Sequence, residues 1–176
     1  KNVLVSKDKI IDALGMPNVM VIPQVDSEEN PIYILKTNTN LKKVSAVIES
    51  FLTARQYYVM VPEQQESLNK IILSAQDLAY LKRDKTYSLA LGLGSDIYIT
   101  YTLQIDSRNI GSQSLKKVSV GIQAFETTTA RLLGSETGYS KERPVGNAVV
   151  IEEAVNDAID KVLSRIMAYW KSDLKK

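Results

Sequence analysis

Two acidic residues stand where a carboxylate could act on a substrate, each at an end of a predicted strand. They are Asp96 and Glu126. Glycosidases use two carboxylates that face each other across a cleft, one as acid and one as base or nucleophile. The adjacent pairs Glu28-Glu29 and Glu152-Glu153 do not show such a cleft, because neighbours in sequence need not face one another. Asp96 and Glu126 keep open one alternative, a small carboxylate-dependent hydrolase.

The other residue types that carry out chemistry are absent or wrongly placed. The chain has no histidine and no cysteine, which removes the commonest general base, thiol nucleophile and soft metal ligand. Gly92 and Gly94 precede a predicted strand, whereas the glycines of a dinucleotide-binding loop follow one. No Asp-x-Asp-x-Asp-Gly string and no glycine-rich loop ending in Lys-Ser/Thr occurs. We expect no enzyme, no cofactor and no metal.

Composition places the chain among ordinary globular domains. Its 176 residues are 44 % hydrophobic and 24 % charged, with a net charge of +2. Nucleic acid is not an expected partner, because such binding needs basic residues gathered on one face and this sequence spreads them. RNA binding, by analogy with anticodon-binding domains, is therefore the weaker of two alternatives. No apolar run approaches the roughly 20 residues that span a bilayer.

The first residue, Lys1, is not a methionine, so a processed or trimmed product is expected. A removed export signal or a lost lipid anchor fits this expectation. The absence of cysteine is compatible with export, because a domain of this size can be stable without disulfides. We expect a location in the periplasm or on the outer-membrane surface.

Periodicity predicts the first half of the domain. Residues 1–16 are expected to form an N-terminal extension, and residues 17–176 a single α/β domain. The apolar run 19–22, bounded by prolines, predicts a buried strand, and a second short strand covers 57–61. Apolar residues at helical spacing predict helices over 41–54 and from Pro62 to about Lys85, and a short one over 87–93. Residues 32–35 fit either a short strand or the lining of a loop.

The second half predicts strand, loop, hairpin and one long helix. Residues 97–105 alternate with a period of two, which is typical of a strand, and 106–117 form a polar loop. Residues 118–124 alternate again, and 130–135 return antiparallel to them. A loop over 137–146 precedes a long amphipathic helix that Asn147 caps. The fold class is α/β, with a mixed sheet of about five strands, helices on both faces and a long C-terminal helix.

This order resembles the α/β domain shared by the amino-terminal domain of TolB and the curli-secretion lipoprotein. The penicillin-binding-protein activator lipoproteins look similar. The resemblance rests on "LGLGSDIYITYTLQI" and "KKVSVGIQAFETTTARLLGSETG", above all on Gly94-Ser95-Asp96-Ile97-Tyr98 and Ala124-Phe125-Glu126-Thr127-Thr128. The segments "NTNLKKVSAVIESF" and "EEAVNDAID" are similar to an uncharacterised family from Bacteroidetes. The loop 24–40 lies outside the shared core, and no lipidated cysteine is present. The resemblance implies a domain that binds or assembles.

The predicted strand over 97–105 carries tyrosine and threonine at alternate positions. If helices cover both faces of the sheet, these groups are half buried and hydrogen-bonded; if one face is open, they suit a partner surface. We expect the contact surface to include the 106–117 and 137–146 segments. The partners would be other envelope proteins or the protein itself. The candidate contact residues are Tyr98, Thr100, Thr102, Arg108, Asn109 and Tyr139.

Overall fold

The computed structural model describes residues 15–26, 29–62 and 85–173. Within them the chain forms a five-stranded sheet in the order β2-β1-β3-β4-β5. β1 is parallel to β2 and β3, whereas β3, β4 and β5 run antiparallel. The predicted mixed sheet is confirmed. Its strands are β1 (Asn18–Pro23), β2 (Tyr58–Met60), β3 (Ile97–Ile110), β4 (Gln113–Glu126) and β5 (Arg131–Tyr139).

Four helices lie within the described ranges. They are α1 (Pro31–Thr37), α2 (Thr39–Ala54), α3 (Lys85–Leu93) and α4 (Asn147–Asp173). The long C-terminal helix is confirmed as α4. None of the four combines the length and apolar character needed to cross a lipid bilayer. Most of the predicted N-terminal extension, residues 1–14, and most of the helix predicted from Pro62 to about Lys85 lie outside the described residues.

The main core forms where α2 and α4 pack on one face of the sheet. Their apolar residues recur at helical spacing and meet the strand side chains that point to that face. Burial of this apolar surface is the main stabilising contribution to the fold. The core includes Val44, Ile48 and Leu52 of α2, Ile97, Ile99 and Tyr101 of β3, and Val155, Ile159 and Val162 of α4.

The described helices cover the second face of the sheet only in part. There α1 and α3 pack on the β1 side, where Met20 and Ile22 meet Leu35 and Leu89. Helices therefore lie on both faces, as predicted. Residues 32–35, which fitted a strand or a loop, belong to α1. Asn30 caps that helix by accepting the Ile32 N–H at 3.0 Å, with a proline at its first position.

The hairpin of β3 and β4 is longer than predicted. Each strand has 14 residues, and the pairing continues to Ile110 and Gln113 across a two-residue turn. The predicted loop over 106–117 is wrong, because these residues are mostly strand. Gly111 begins the turn with a φ of +59°, which glycine adopts without strain. Likewise β5 continues to Tyr139, which shortens the predicted loop over 137–146.

The last helix begins at Asn147 itself rather than being capped by it. The Gly146 carbonyl accepts the Val149 N–H at 3.2 Å. The Asn147 amide instead donates to Asn40 Oδ1 at 3.2 Å, which ties the starts of α4 and α2 together.

Candidate interaction surface

The half of the second face that no described helix covers carries short, uncharged polar side chains. Strand pairing places Thr102 opposite Gly121, Gln104 opposite Ser119, and Thr137 beside Gly121. Gly121 leaves room here, since a Cβ at that position would lie 2.7 Å from Thr102 Oγ1. We call this surface the open face, and it comprises Thr102, Gln104, Ser119, Gln123, Ser135 and Thr137.

The structure separates the six candidate contact residues into two groups. Tyr98 is 3 % exposed and Thr100 is 7 % exposed, so neither offers contact area, and the expectation is corrected for these two. The physical reason is coverage by the α1 and α3 side, where the Tyr98 ring stacks on Phe125 with centroids 5.0 Å apart. The other four are exposed: Thr102, Arg108, Asn109 and Tyr139.

The outer side of β3 is an unpaired strand edge beyond Tyr101. Pairing with β1 ends where Pro23 faces Tyr101, and Gln24 N–H donates to the Tyr101 carbonyl at 2.9 Å. N–H and C=O of one residue point to the same side of a strand, and the side alternates along the chain. Leu103, Ile105, Ser107 and Asn109 therefore point both groups outward. No described residue pairs with them.

The opposite edge of the sheet is capped by carboxylates of α4 where β5 ends. Tyr139 N–H donates to Asp157 Oδ2 at 2.9 Å, and Lys141 N–H donates to Glu153 Oε1 at 2.8 Å. Arg143 Nε adds a bond of 2.8 Å to the other Glu153 oxygen. The hydrogen bond from the Lys141 N–H is the largest effect on the Glu153 carboxyl and lowers its pKa. The hydrogen bond from Arg143 lowers this pKa further. These side chains occupy the place that another strand would need.

A groove beside this edge tests the hydrolase alternative. It encloses about 530 Å³ and contains two carboxylates, those of Glu153 and Asp157. Both accept backbone N–H groups, and the lowered pKa of Glu153 is the opposite of what a general acid needs. The groove residues are Tyr139, Ser140, Lys141, Glu153, Asn156 and Asp157.

The two carboxylates that motivated the hydrolase alternative have structural bonds elsewhere. Asp96 Oδ2 accepts the Asn18 N–H at 2.8 Å and so holds the start of β1. Glu126 accepts the hydroxyls of Thr128 and Thr129, each at 2.9 Å, within the turn before β5. Neither residue lines the groove.

Ion pairs engage most of the arginines that the structure describes. Four arginines of the described ranges form ion pairs with acidic residues on other elements. Among the described residues, no three metal-ligating side chains lie close enough together to hold a metal ion. The ion pairs are Arg55–Asp160, Arg108–Glu142, Arg143–Glu153 and Arg165–Glu136.

Sequence reasoning missed two parts of this surface. The part of the β3 edge beyond residue 105 is predicted as a loop, although Gly111-Ser112 between two polar runs is a hairpin-turn signal. No sequence pattern indicates that Glu153 and Asp157 cap the edge, because carboxylates are expected on the exposed side of any amphipathic helix.

Comparison of the sequence with known families and with curated proteins finds no match. Among solved structures, the fold is similar to the PelC dodecamer from Paraburkholderia phytofirmans, with a TM-score of 0.51 and 14 % identity over 85 % of this chain and 88 % of that one. It is also similar to lipoprotein GNA1162 from Neisseria meningitidis, with a TM-score of 0.50 and 14 % identity over 86 % and 99 %. The chain therefore shares its fold with a lipoprotein and with a protein that forms a dodecamer.

Proposed function

We propose that this domain is a non-enzymatic protein-interaction or assembly module of the bacterial cell envelope. Its location would be the periplasm or the outer-membrane surface. The fold likeness to a lipoprotein and to the dodecameric PelC supports this proposal. The closer likeness to TolB and to the Bacteroidetes family remains part of the proposal, resting on the sequence segments alone.

The observation that carries the proposal is the hairpin of β3 and β4, which runs beyond both neighbouring strands. Pairing with β1 ends at Tyr101, and pairing with β5 begins at Ser119. The hairpin thus offers a free backbone edge and the open face together. A partner strand can add to such an edge through main-chain hydrogen bonds, while side chains on the adjacent face provide selectivity.

Two exposed residues suit the recognition role on that face. Tyr139 is 57 % exposed at the end of β5, and its ring combines a large apolar area with a polar tip. Thr102 lies two strands away on the same face. Uncharged polar groups between them can exchange water for partner hydrogen bonds at a small desolvation cost, compared with charged groups.

The hydrolase alternative is less well supported. Asp96 and Glu126 are engaged in holding a strand start and a turn, and the groove carboxylates bind backbone N–H groups. RNA binding is less well supported too, because the ion-paired arginines leave no concentrated basic surface among the described residues.

The test is photo-crosslinking in the natural host. A benzophenone amino acid replaces Thr102 or Tyr139, and a third variant carries it at Ser164, an exposed position on α4. Adducts of discrete mass with an envelope protein are expected at the first two positions and not at Ser164. Adducts only with cytoplasmic proteins, or equal labelling at all three positions, would contradict the proposal.

A further inference from the structure

We infer that the outer edge of β3 pairs with the same edge of a second copy of this chain, antiparallel and centred on Ser107. The two sheets would then join into one across a two-fold axis. This inference rests on the proposed function, since it names one partner of that interaction module. It concerns residues 103–109, whose outward N–H and C=O groups have no partner among the described residues.

The other edges of the sheet show that this chain avoids uncontrolled pairing. β2 has only three residues. The β5 edge is capped at its end by Asp157 and Glu153, which accept the N–H groups of Tyr139 and Lys141. Short edges and charged groups at an edge are the usual protections against strand addition. The β3 edge is long, and no described residue caps it beyond Tyr101, which distinguishes it from the other edges and points to a strand as its occupant.

The register follows from which residues point outward. In an antiparallel pair, residues whose backbone groups point toward the partner strand lie opposite one another. The two-fold axis therefore passes through one such residue or midway between two of them. Centring on Asp106 would place that carboxylate opposite its own copy, and like charges directly opposite are destabilising. Centring on Ile105 brings Asn109 of the second copy against Tyr101, where Gln24 already occupies the edge. Centring on Ser107 avoids both conflicts.

Charge complementarity favours the Ser107-centred register and identifies the occupant as a second copy. Asp106 of each copy then lies opposite Arg108 of the other, so two opposite-charge pairs form about the axis. Arg108 already binds Glu142 of its own chain, which fixes the guanidinium on this face. Its planar group has five donors and can hold two carboxylates at once.

The same register places an apolar residue in contact. Ile110 is 53 % exposed at the hairpin tip, and Gln104 of the second copy would lie opposite it. The methylene groups of Gln104 can cover Ile110, while its amide keeps its hydrogen bond of 3.3 Å to Asp106 Oδ1 of its own chain.

Disulfide trapping tests the arrangement, because the chain has no cysteine of its own. In a Ser107→Cys variant the two Cα atoms would lie about 5.5 Å apart, within disulfide reach. The matched control is Ser114→Cys, which is exposed on β4 opposite Asn109. Its two copies would be roughly 20 Å apart, three strand spacings across the sheet and four residues along the strands, and could not join. We expect a disulfide dimer for Ser107→Cys that forms much faster than for Ser114→Cys.

A charge-swap series tests the register independently, with the dissociation constant of self-association measured by sedimentation. All variants carry Glu142→Gln, so that replacing Arg108 does not also break its ion pair with Glu142. Asp106→Arg alone should weaken the dimer roughly tenfold, because two attractive pairs become repulsive. Adding Arg108→Asp should restore the affinity. If either residue had only a structural role, the double swap would not restore the dissociation constant.

The outcomes separate this inference from the proposed function. No preference for Ser107→Cys over Ser114→Cys, or no restoration by the double swap, overturns self-pairing. If photo-adducts at Thr102 and Tyr139 still appear in that case, the proposed function stands and the edge takes a different partner. If a variant fails to fold, by circular dichroism, the trapping result on the conservative Ser107→Cys change decides.

Discussion

Tyr139 donates its backbone N–H to the Asp157 carboxylate at 2.9 Å, so a side chain of α4 takes the place of a neighbouring strand. One helical turn earlier, Glu153 does the same for Lys141 at 2.8 Å. The sheet therefore caps the end of its β5 edge with its own carboxylates, whereas the β3 edge beyond Tyr101 is open among the described residues. This asymmetry determines where a partner strand can add.

Removing the Asp157 carboxylate should open the protected edge. Asp157→Ala leaves the Tyr139 N–H without its acceptor, and we expect a loss of about 0.5–1.5 kcal/mol in the free energy of unfolding. Combined with Glu153→Ala, it should also raise aggregation, because two edge N–H groups become available. Urea unfolding and light scattering measure the two effects. Asn156→Ala, on the same exposed stretch of helix, is the control, and an equal effect there would argue against edge protection.

The Glu153 bonds predict a pH dependence. The Lys141 N–H and Arg143 lower the pKa of Glu153 in the folded state. A lowered folded-state pKa gives stability that is fully present above the unfolded-state pKa of about 4.3 and is lost as pH falls through the folded value. Glu153→Gln should therefore be less stable than the unsubstituted protein at pH 7. The free energies of unfolding of the two proteins should converge toward pH 3. A difference that stays constant from pH 7 to 3 would exclude this contribution.

Gly138 permits the close approach of β5 to α4. A Cβ at this position would lie 1.9 Å from the Ala154 carbonyl oxygen and 2.9 Å from Ala158 Cβ. Gly138→Ala should cost about 1–3 kcal/mol or more, because backbone must move to admit the methyl group. Gly146→Ala meets nothing within 4 Å and should change stability by less than about 0.5 kcal/mol. Thermal unfolding of the two variants makes the comparison, and equal melting temperatures would be inconsistent with this packing.

Tyr57 should ionise late. Burial raises the pKa of its phenol to about 12, although Arg55 acts in the opposite direction. Because the folded state favours the neutral phenol, this group's contribution to stability is present below pH 10 and is lost as pH rises toward 12. Absorbance at 295 nm should show a late tyrosinate step that Tyr57→Phe removes. Tyr58→Phe, next to it and exposed, is the control and should leave that step in place.

Most of the fold could be predicted because its elements carry strong periodicity. The apolar residues at helical spacing on α2, and the apolar and polar residues that alternate at the start of β3, follow from burial of one side of each element. Apolar periodicity in a sequence indicates such burial. The distal half of the β3–β4 hairpin lies beyond the core, so residues 106–117 have no apolar alternation and were assigned to a loop. Residues 32–35 are apolar without a break, and such a run fits a strand as well as the helix that Asn30 begins.

The candidate surface could be predicted only in part. Tyr98, Thr100 and Thr102 share the same alternation in sequence, yet the first two are buried and the third is exposed. The difference depends on how far α1 and α3 extend over the sheet, and no local pattern encodes that distance. The closed β5 edge depends on Asp157 lying 18 residues from Tyr139, a relation that only the packing of α4 creates.

Residue-resolved amide hydrogen exchange, at a concentration where sedimentation shows a monomer, tests the central claim most directly, namely that recognition occurs at an open β3 edge while the end of the β5 edge is capped. The outward amides of Ser107 and Asn109 should exchange at least about tenfold faster than those of Tyr139 and Lys141, whose protons are held by carboxylates. If Ser107 and Asn109 are instead as protected as Tyr139, the β3 edge is closed in the isolated domain and the account fails.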